Sequence, residues 1–218
     1  MIKISSEFHV SIKRKFNHMK RVTVVMALSA LFAFFGCDKG DDGLKTKFGI
    51  FTVKDAETVS MNGTIDKNSH KDFTDLLNQY QSIKRVEIQE CEGASDTESS
   101  RRLSFLVHGN KINTHILDNG SVAVEGTDFF LAGNKRTMGK NAKLGVQCWS
   151  IESHGEIKPA TSFNLNHANH KPYMNYYIQV GFSTQEAKGF YLFTINAANY
   201  KEIHWMTNKE IEQYHILK

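Results

Sequence analysis

Proline is almost missing from this chain. Pro159 and Pro172 are the only two among 218 residues, so long helices and strands meet few breakers. Cysteine is scarce as well: Cys37, Cys91 and Cys148 are too few for the multi-bridge framework of a small disulfide-stapled fold. The chain has no internal repeat and no low-complexity stretch. Clustered positive charge is confined to the opening segment. There Lys3, Lys13, Arg14, Lys15, Lys20 and Arg21 stand against Glu7 alone; without that segment 21 basic residues face 22 acidic ones. The remainder lacks the electrostatic footprint of a nucleic-acid binder.

One long apolar run is present, residues 22–36, fifteen residues without a charge. It is shorter than the roughly 20 residues that span a bilayer as a helix. Lys20 and Arg21 precede it, and small Gly36 followed by Cys37 ends it, as in a secretory signal peptide. The ending resembles a lipobox, in which cleavage before the cysteine leaves a thiol that carries lipid. Phe34 is bulkier than that motif usually has. A buried core helix ending in a free cysteine is the alternative; basic flank, length, small residue and cysteine together favour the leader. Residues 1–36 are thus expected to be a signal peptide, with Met19 a second candidate start. Cys37 is the expected lipidation site, residues 37–47 a polar tether, and residues 48–218 one domain. A bacterial cell envelope location, anchored to the membrane through lipid, follows from that reading.

Within the domain, strands and helices alternate. Residues 48–54 and 58–65 read as strands, and Asn68 can cap a helix over 71–80 with Phe73, Leu76 and Leu77 on one face. Residues 84–91 form the next strand. Ser95 with Glu98 three positions on reads as a capping box for a helix carrying Leu103, Leu106 and Val107. Residues 112–117 are a strand, 122–132 a buried helix ending at Gly133, and 144–149 a short strand. The last third is helical over 168–180, 185–197 and 209–214. Alternation of this kind implies crossovers and a largely parallel sheet.

The ordered set of segments between residues 58 and 217 resembles the Clp protease proteolytic subunit and the wider crotonase-like superfamily, closest to secreted Clp-like proteins. The turn Glu92-Gly93-Ala94-Ser95, the segment Gly120-Ser121-Val122-Ala123-Val124-Glu125-Gly126, the run from Phe129 to Gly133 and Val146-Gln147-Cys148-Trp149 carry the likeness. So does a tail with His167, His170 and Tyr173, then Phe190 to Ile195, then Ile203 to Thr207. The resemblance implies an α/β spiral of ββα units with a largely parallel sheet and a helical C-terminal third. It implies an oxyanion hole with Gly93, Ala94 and Glu125 as candidates, Glu125 being the neighbour of the nucleophile position. The nucleophile position itself falls on Val124 and the base position on Gln147, neither of which can act so. Glu202 lies nearest the third position. Self-association into trimers or larger rings is also implied.

Other residues were candidates for chemistry. Ser121 is a rescue nucleophile in principle, although a turn serine explains it. Cys91 and Cys148 border the same cleft by this analogy and could pair if close enough; two buried thiols account for them more simply. His167 and His170 are weak metal candidates, with His154 and His204 elsewhere, and structural histidines account for them better. The aromatic run from Tyr173 to Phe193 fits core and subunit packing. Nothing in the sequence points to a cofactor. The reading is a lipid-anchored, catalytically inactive binding or scaffold module. The alternative is an enzyme of altered mechanism that uses the backbone oxyanion hole and an acid or base such as Glu125.

Overall fold

The computed structural model describes residues 44–218; the expected leader, Cys37 and most of the tether lie outside the described residues. Apolar alternation opens the fold. β1 (Lys47–Phe48) and β2 (Phe51–Val53) form a hairpin, and β2 runs antiparallel to β3 (Thr58–Asn62). From β3 the chain crosses over through helices. α1 (Ser69–Gln79) leads to β4 (Arg85–Cys91), and α2 (Thr97–Gly109) leads to β5 (Asn113–Ala123). Each crossover returns the next strand parallel to the last, as a helical connection permits and a tight hairpin does not. Val59 and Met61, Val86 and Ile88, and Thr114 and Ile116 are buried at a period of two.

β5 is eleven residues long and serves two partners. Thr114 to Ile116 pair in parallel with β6 (Arg136–Met138), and Ser121 to Ala123 pair in parallel with β7 (Lys143–Val146). A register shift between Ile88 and Glu90 lets β4 follow this bend. The sheet order is β1-β2-β3-β4-β5-β7-β10, with β10 (His204–Trp205) antiparallel to β7. The largely parallel α/β sheet matches the expectation.

Several local expectations are corrected. The strand does not stop near residue 117; it runs to Ala123, and α3 (Glu125–Leu131) begins only after it. Both the strand end and the helix are buried, so the apolar run from Val122 onward carried no period to separate them. α2 is capped by Asp96, whose carboxylate accepts the Ser99 N–H at 2.6 Å. Ser95 instead donates its own N–H to the Ile65 carbonyl at 2.8 Å, which holds it out of the cap. Asn68 stands at the start of α1 without a capping bond from its side chain. β8 (Ser150–Ser153) and β9 (Glu156–Pro159) form a hairpin that has no apolar alternation to announce it. His154 and Gly155 turn it with φ of 56° and 76°, as a two-residue hairpin turn requires.

Apart from this hairpin and β10, the regular elements of the C-terminal third are helical. α4 (Lys171–Gln179) carries Pro172 in its first turn, where a missing N–H costs nothing. α5 (Thr184–Ala197) and α6 (Asn208–Gln213) open on capping boxes, Ser183 with Glu186 and Thr207 with Glu210. One charge is fully enclosed. Arg136 donates to the carbonyls of Leu131 (2.9 Å), His215 (3.2 Å) and Ile216 (2.5 Å) and lies over the Phe182 ring. It joins the end of α3 to the end of the chain. Burial lowers its guanidinium to about 10. No helix among the described residues is long and apolar enough to cross a membrane.

Candidate functional site

Between β5 and α3 a single residue, Val124, makes the turn, with φ 55° and ψ −121°. Positive φ is a steric outlier for a β-branched side chain and costs on the order of 1–3 kcal/mol. The surroundings hold it there. The Val124 N–H donates to the Gly145 carbonyl at 3.2 Å, and the Val124 carbonyl accepts the Thr127 N–H at 3.0 Å. Thr127 Oγ1 donates to the same Gly145 carbonyl at 2.6 Å. Gly126 leaves no room to shift, since a Cβ there would stand 2.1 Å from the Cys91 carbonyl oxygen. A sharp, strained strand-to-helix turn is a way of presenting a nucleophile; here its apex is an isopropyl group.

The Gly93-Ala94 turn faces this elbow. Ile65 ties it down from both sides: its N–H donates to the Gly93 carbonyl at 3.1 Å, and its carbonyl accepts from Ser95. Gly93 has φ 148°, and a Cβ on it would meet Glu125 Oε2 at 3.4 Å. The Ala94 N–H does not stand free, because it donates to Glu125 Oε2 at 3.2 Å. The expected oxyanion donor is thus filled from within by the side chain next to the elbow.

Gln147 follows the last residue of β7 and lines, together with Val124, an open cleft of about 260 Å³. Glu125 and Asp128 supply acidic groups to this cleft; Trp149, Tyr173, Tyr177 and Tyr200 supply aromatic faces. Trp149 and Tyr173 stack with centroids 5.5 Å apart and planes 4° from parallel. Behind Thr97, Glu125, Asp128 and Tyr173 lies a smaller chamber of about 30 Å³, which Ser100, Arg101 and Ser104 also line. Desolvation and the neighbouring Glu125 charge push the Asp128 carboxyl up to about 7, against the weaker pull of Tyr177 and Arg101. Asp128 falls within the stretch 122–132 that the sequence reads as a buried helix. Two acids three apart on such a helix were the available signal, since buried carboxylates are rare unless paired.

The other candidates fall outside this arrangement. Glu202 is exposed and does not line the cleft, so it is no third member. Cys91 and Cys148 are buried free thiols; they form no pair, and burial pushes Cys91 up to about 11, away from thiolate chemistry. Ser121 lies in β5 and donates to Glu92 at 3.3 Å. His167 accepts the Asn169 N–H at 3.3 Å, whereas His170 is fully buried with Nδ1 2.5 Å from the Tyr191 hydroxyl. Trp149 Nε1–H donates to that hydroxyl at 2.9 Å, so Tyr191 links the indole to the buried imidazole. His154 contacts Ser153 and His204 contacts Glu210; no group of three metal-ligating side chains converges among the described residues. Of the aromatic run expected in the core, Tyr173 and Tyr177 face the cleft.

The parallel strands, the bent β5 and the elbow before α3 make a Clp-protease-like fold. Two solved structures agree on the fold, and a third is similar to a lesser degree. The 1510-N membrane-bound stomatin-specific protease of Pyrococcus horikoshii, as an alanine mutant, has a TM-score of 0.50 at 15% identity, over 73% of this chain and 75% of that one. A second alanine mutant of it, in complex with a substrate peptide, has a TM-score of 0.50 at 16% identity, over 73% and 71%. ClpP1 from Listeria monocytogenes gives 0.48 at 16% identity, over 74% and 89%. No protein family and no curated protein matches the sequence itself.

Proposed function

We propose that this protein is a lipid-anchored module of the bacterial cell envelope whose Clp-protease-like domain has lost hydrolysis and kept a binding cleft. The observation that carries this reading is Val124 at the apex of the strained elbow, with Gln147 lining the same cleft. Acyl transfer needs a nucleophile and a base in contact, and valine and an amide provide neither. The cleft is open and polar groups converge in it, which favours a ligand over a purely structural role. The leader and Cys37 supply the anchor in this proposal, and the fold supplies a basis for homo-oligomers. A fluorophosphonate probe is expected to leave the protein unlabelled, while the double variant Val124→Ser/Gln147→His gains labelling. Labelling of the wild-type chain at any serine overturns the proposal. Cys37→Ala is expected to move the protein from the membrane fraction to the soluble one.

A second reading, an enzyme of altered mechanism, draws on one specific arrangement. Glu125 sits on the Ala94 N–H, and the Asp128 carboxyl beside it is held up near neutral pH. A carboxyl held up in this way can serve as a general acid. In that case Glu125→Gln abolishes whatever turnover is found, and unchanged turnover rejects the idea.

A further inference from the structure

We propose that the cleft and the chamber behind it bind a small organic primary amine in its ammonium form. The charged head lies in the chamber between Glu125 and Asp128, and the carbon body lies along the Trp149–Tyr173 face. The proposal rests on the ligand-binding reading above and names the ligand's chemistry.

Three observations carry it. The cleft and the chamber together are lined by two carboxylates, Glu125 and Asp128, against one cationic side chain, Arg101, so their local charge favours a cation. The cleft walls are aromatic, and aromatic faces attract an organic cation and its attached carbons alike. Independently, Ser104 is fully buried on the chamber wall, yet its Oγ has no hydrogen-bond partner among the described residues. A buried hydroxyl left unpaired costs on the order of 1–3 kcal/mol, and an N–H donor entering the chamber removes that cost. The chamber's size, about 30 Å³, suits a single small polar group and rejects a trimethylated one.

One charge opposes the head group. Arg101 also lines the chamber, but it is partly committed to Glu98 at 3.8 Å. The groups facing Asp128 are Glu125 from α3, Arg101 from α2, and Tyr173, Tyr176 and Tyr177 from α4; Cys148 borders the same cleft. A bound ammonium favours the ionised form of both carboxyls, so binding releases a proton where Asp128 would otherwise hold one.

The test is calorimetric titration of the full chain with butylammonium, tetramethylammonium, butyrate and butanol. Butylammonium is expected to bind and the other three not. Its affinity is expected to rise about tenfold between about pH 6 and pH 8, an order set by one linked proton. Glu125→Gln and Asp128→Asn are each expected to weaken it about tenfold, Asp128→Asn is expected to flatten the pH dependence, and Arg101→Gln is expected to tighten binding. Thermal melts of each variant separate lost binding from lost folding, and Arg101→Gln supplies a change that misfolding cannot imitate. Preference for butyrate, equal binding of butanol or tetramethylammonium, or no heat with any probe overturns the proposal. The fluorophosphonate result is independent of all these outcomes, so failure of the inactive-hydrolase reading is told apart from failure of this one.

Discussion

The two ends of α3, a helix of seven residues, are built to opposite rules. At the C-terminal end, Arg136 is enclosed, and its guanidinium donates to three carbonyls that would otherwise be orphaned, one of them the Leu131 carbonyl in the helix's last turn. Cation and carbonyl ends match there. At the N-terminal end, valine occupies a backbone region it disfavours, burial and a neighbouring carboxylate push one carboxyl up to about 7, and a buried hydroxyl goes unpaired. A fold that satisfies one end so fully could have relaxed the other. Strain and unmatched polarity kept at one place mark a functional site. Stabilising variants are therefore expected at the N-terminal end and destabilising ones at the C-terminal end.

The largest effect is expected at Arg136. Arg136→Met keeps the apolar stem but orphans the carbonyls of Leu131, His215 and Ile216, at a cost of about 3–5 kcal/mol. In thermal unfolding this lowers Tm by roughly 10 °C, with ligand binding by the folded fraction unchanged. A loss below about 1 kcal/mol would erase the contrast between the two ends.

Asp128→Asn is expected to act in the opposite direction. The folded-state carboxyl lies at about 7 against its ordinary value of 3.8. Below about pH 4 folded and unfolded chains both hold this proton; between about pH 4 and 7 only the folded chain does. Rising pH therefore favours unfolding across that window, and the stability present at low pH is lost by about pH 7. Asn removes the penalty. The variant is expected to match wild type at about pH 4 and to exceed it by up to about 4 kcal/mol at about pH 8, read from Tm against pH. It should also weaken amine binding about tenfold, so a gain in stability accompanies a cost in function.

Much of the frame was legible in the sequence, because helices over residues 71–80 and 185–197 and strands over 58–65 and 84–91 have clean periods of 3.6 and 2. The site was legible only in part. Val124 and Gln147 stood out because the resemblance supplied slots for them. The elbow's backbone did not, since valine gives no hint of positive φ and the apolar run reads as helix throughout. Asp128 and Ser104 were hidden because burial, not residue type, makes them unusual. The Trp149–Tyr191–His170 chain joins residues 21 and 42 positions apart, a separation that no local pattern reports. Breaking that chain is the next prediction. Tyr191→Phe leaves Trp149 Nε1–H and His170 Nδ1 unpaired, and is expected to cost about 1–2 kcal/mol in urea unfolding while the Trp149–Tyr173 stack persists in the tryptophan spectrum.

The sharpest probe of the contrast has the smallest size. Replacing a partly buried valine by glycine ordinarily destabilises, because apolar contact is lost and the unfolded chain gains freedom. At position 124 a third contribution has the opposite sign. φ 55° with ψ −121° is open to glycine and strained for a β-branched residue, and the three hydrogen bonds at Gly145 and Thr127 keep the backbone in place after substitution. Relief of about 1–3 kcal/mol of strain against a loss of similar size puts Val124→Gly between neutral and about 1 kcal/mol more stable. Val122→Gly, two residues earlier, buried in β5 and without strain, supplies the reference and is expected to lose about 2–4 kcal/mol. If both variants lose equally in parallel urea titrations, the elbow stores no strain, and α3 has no functional end to set against its structural one.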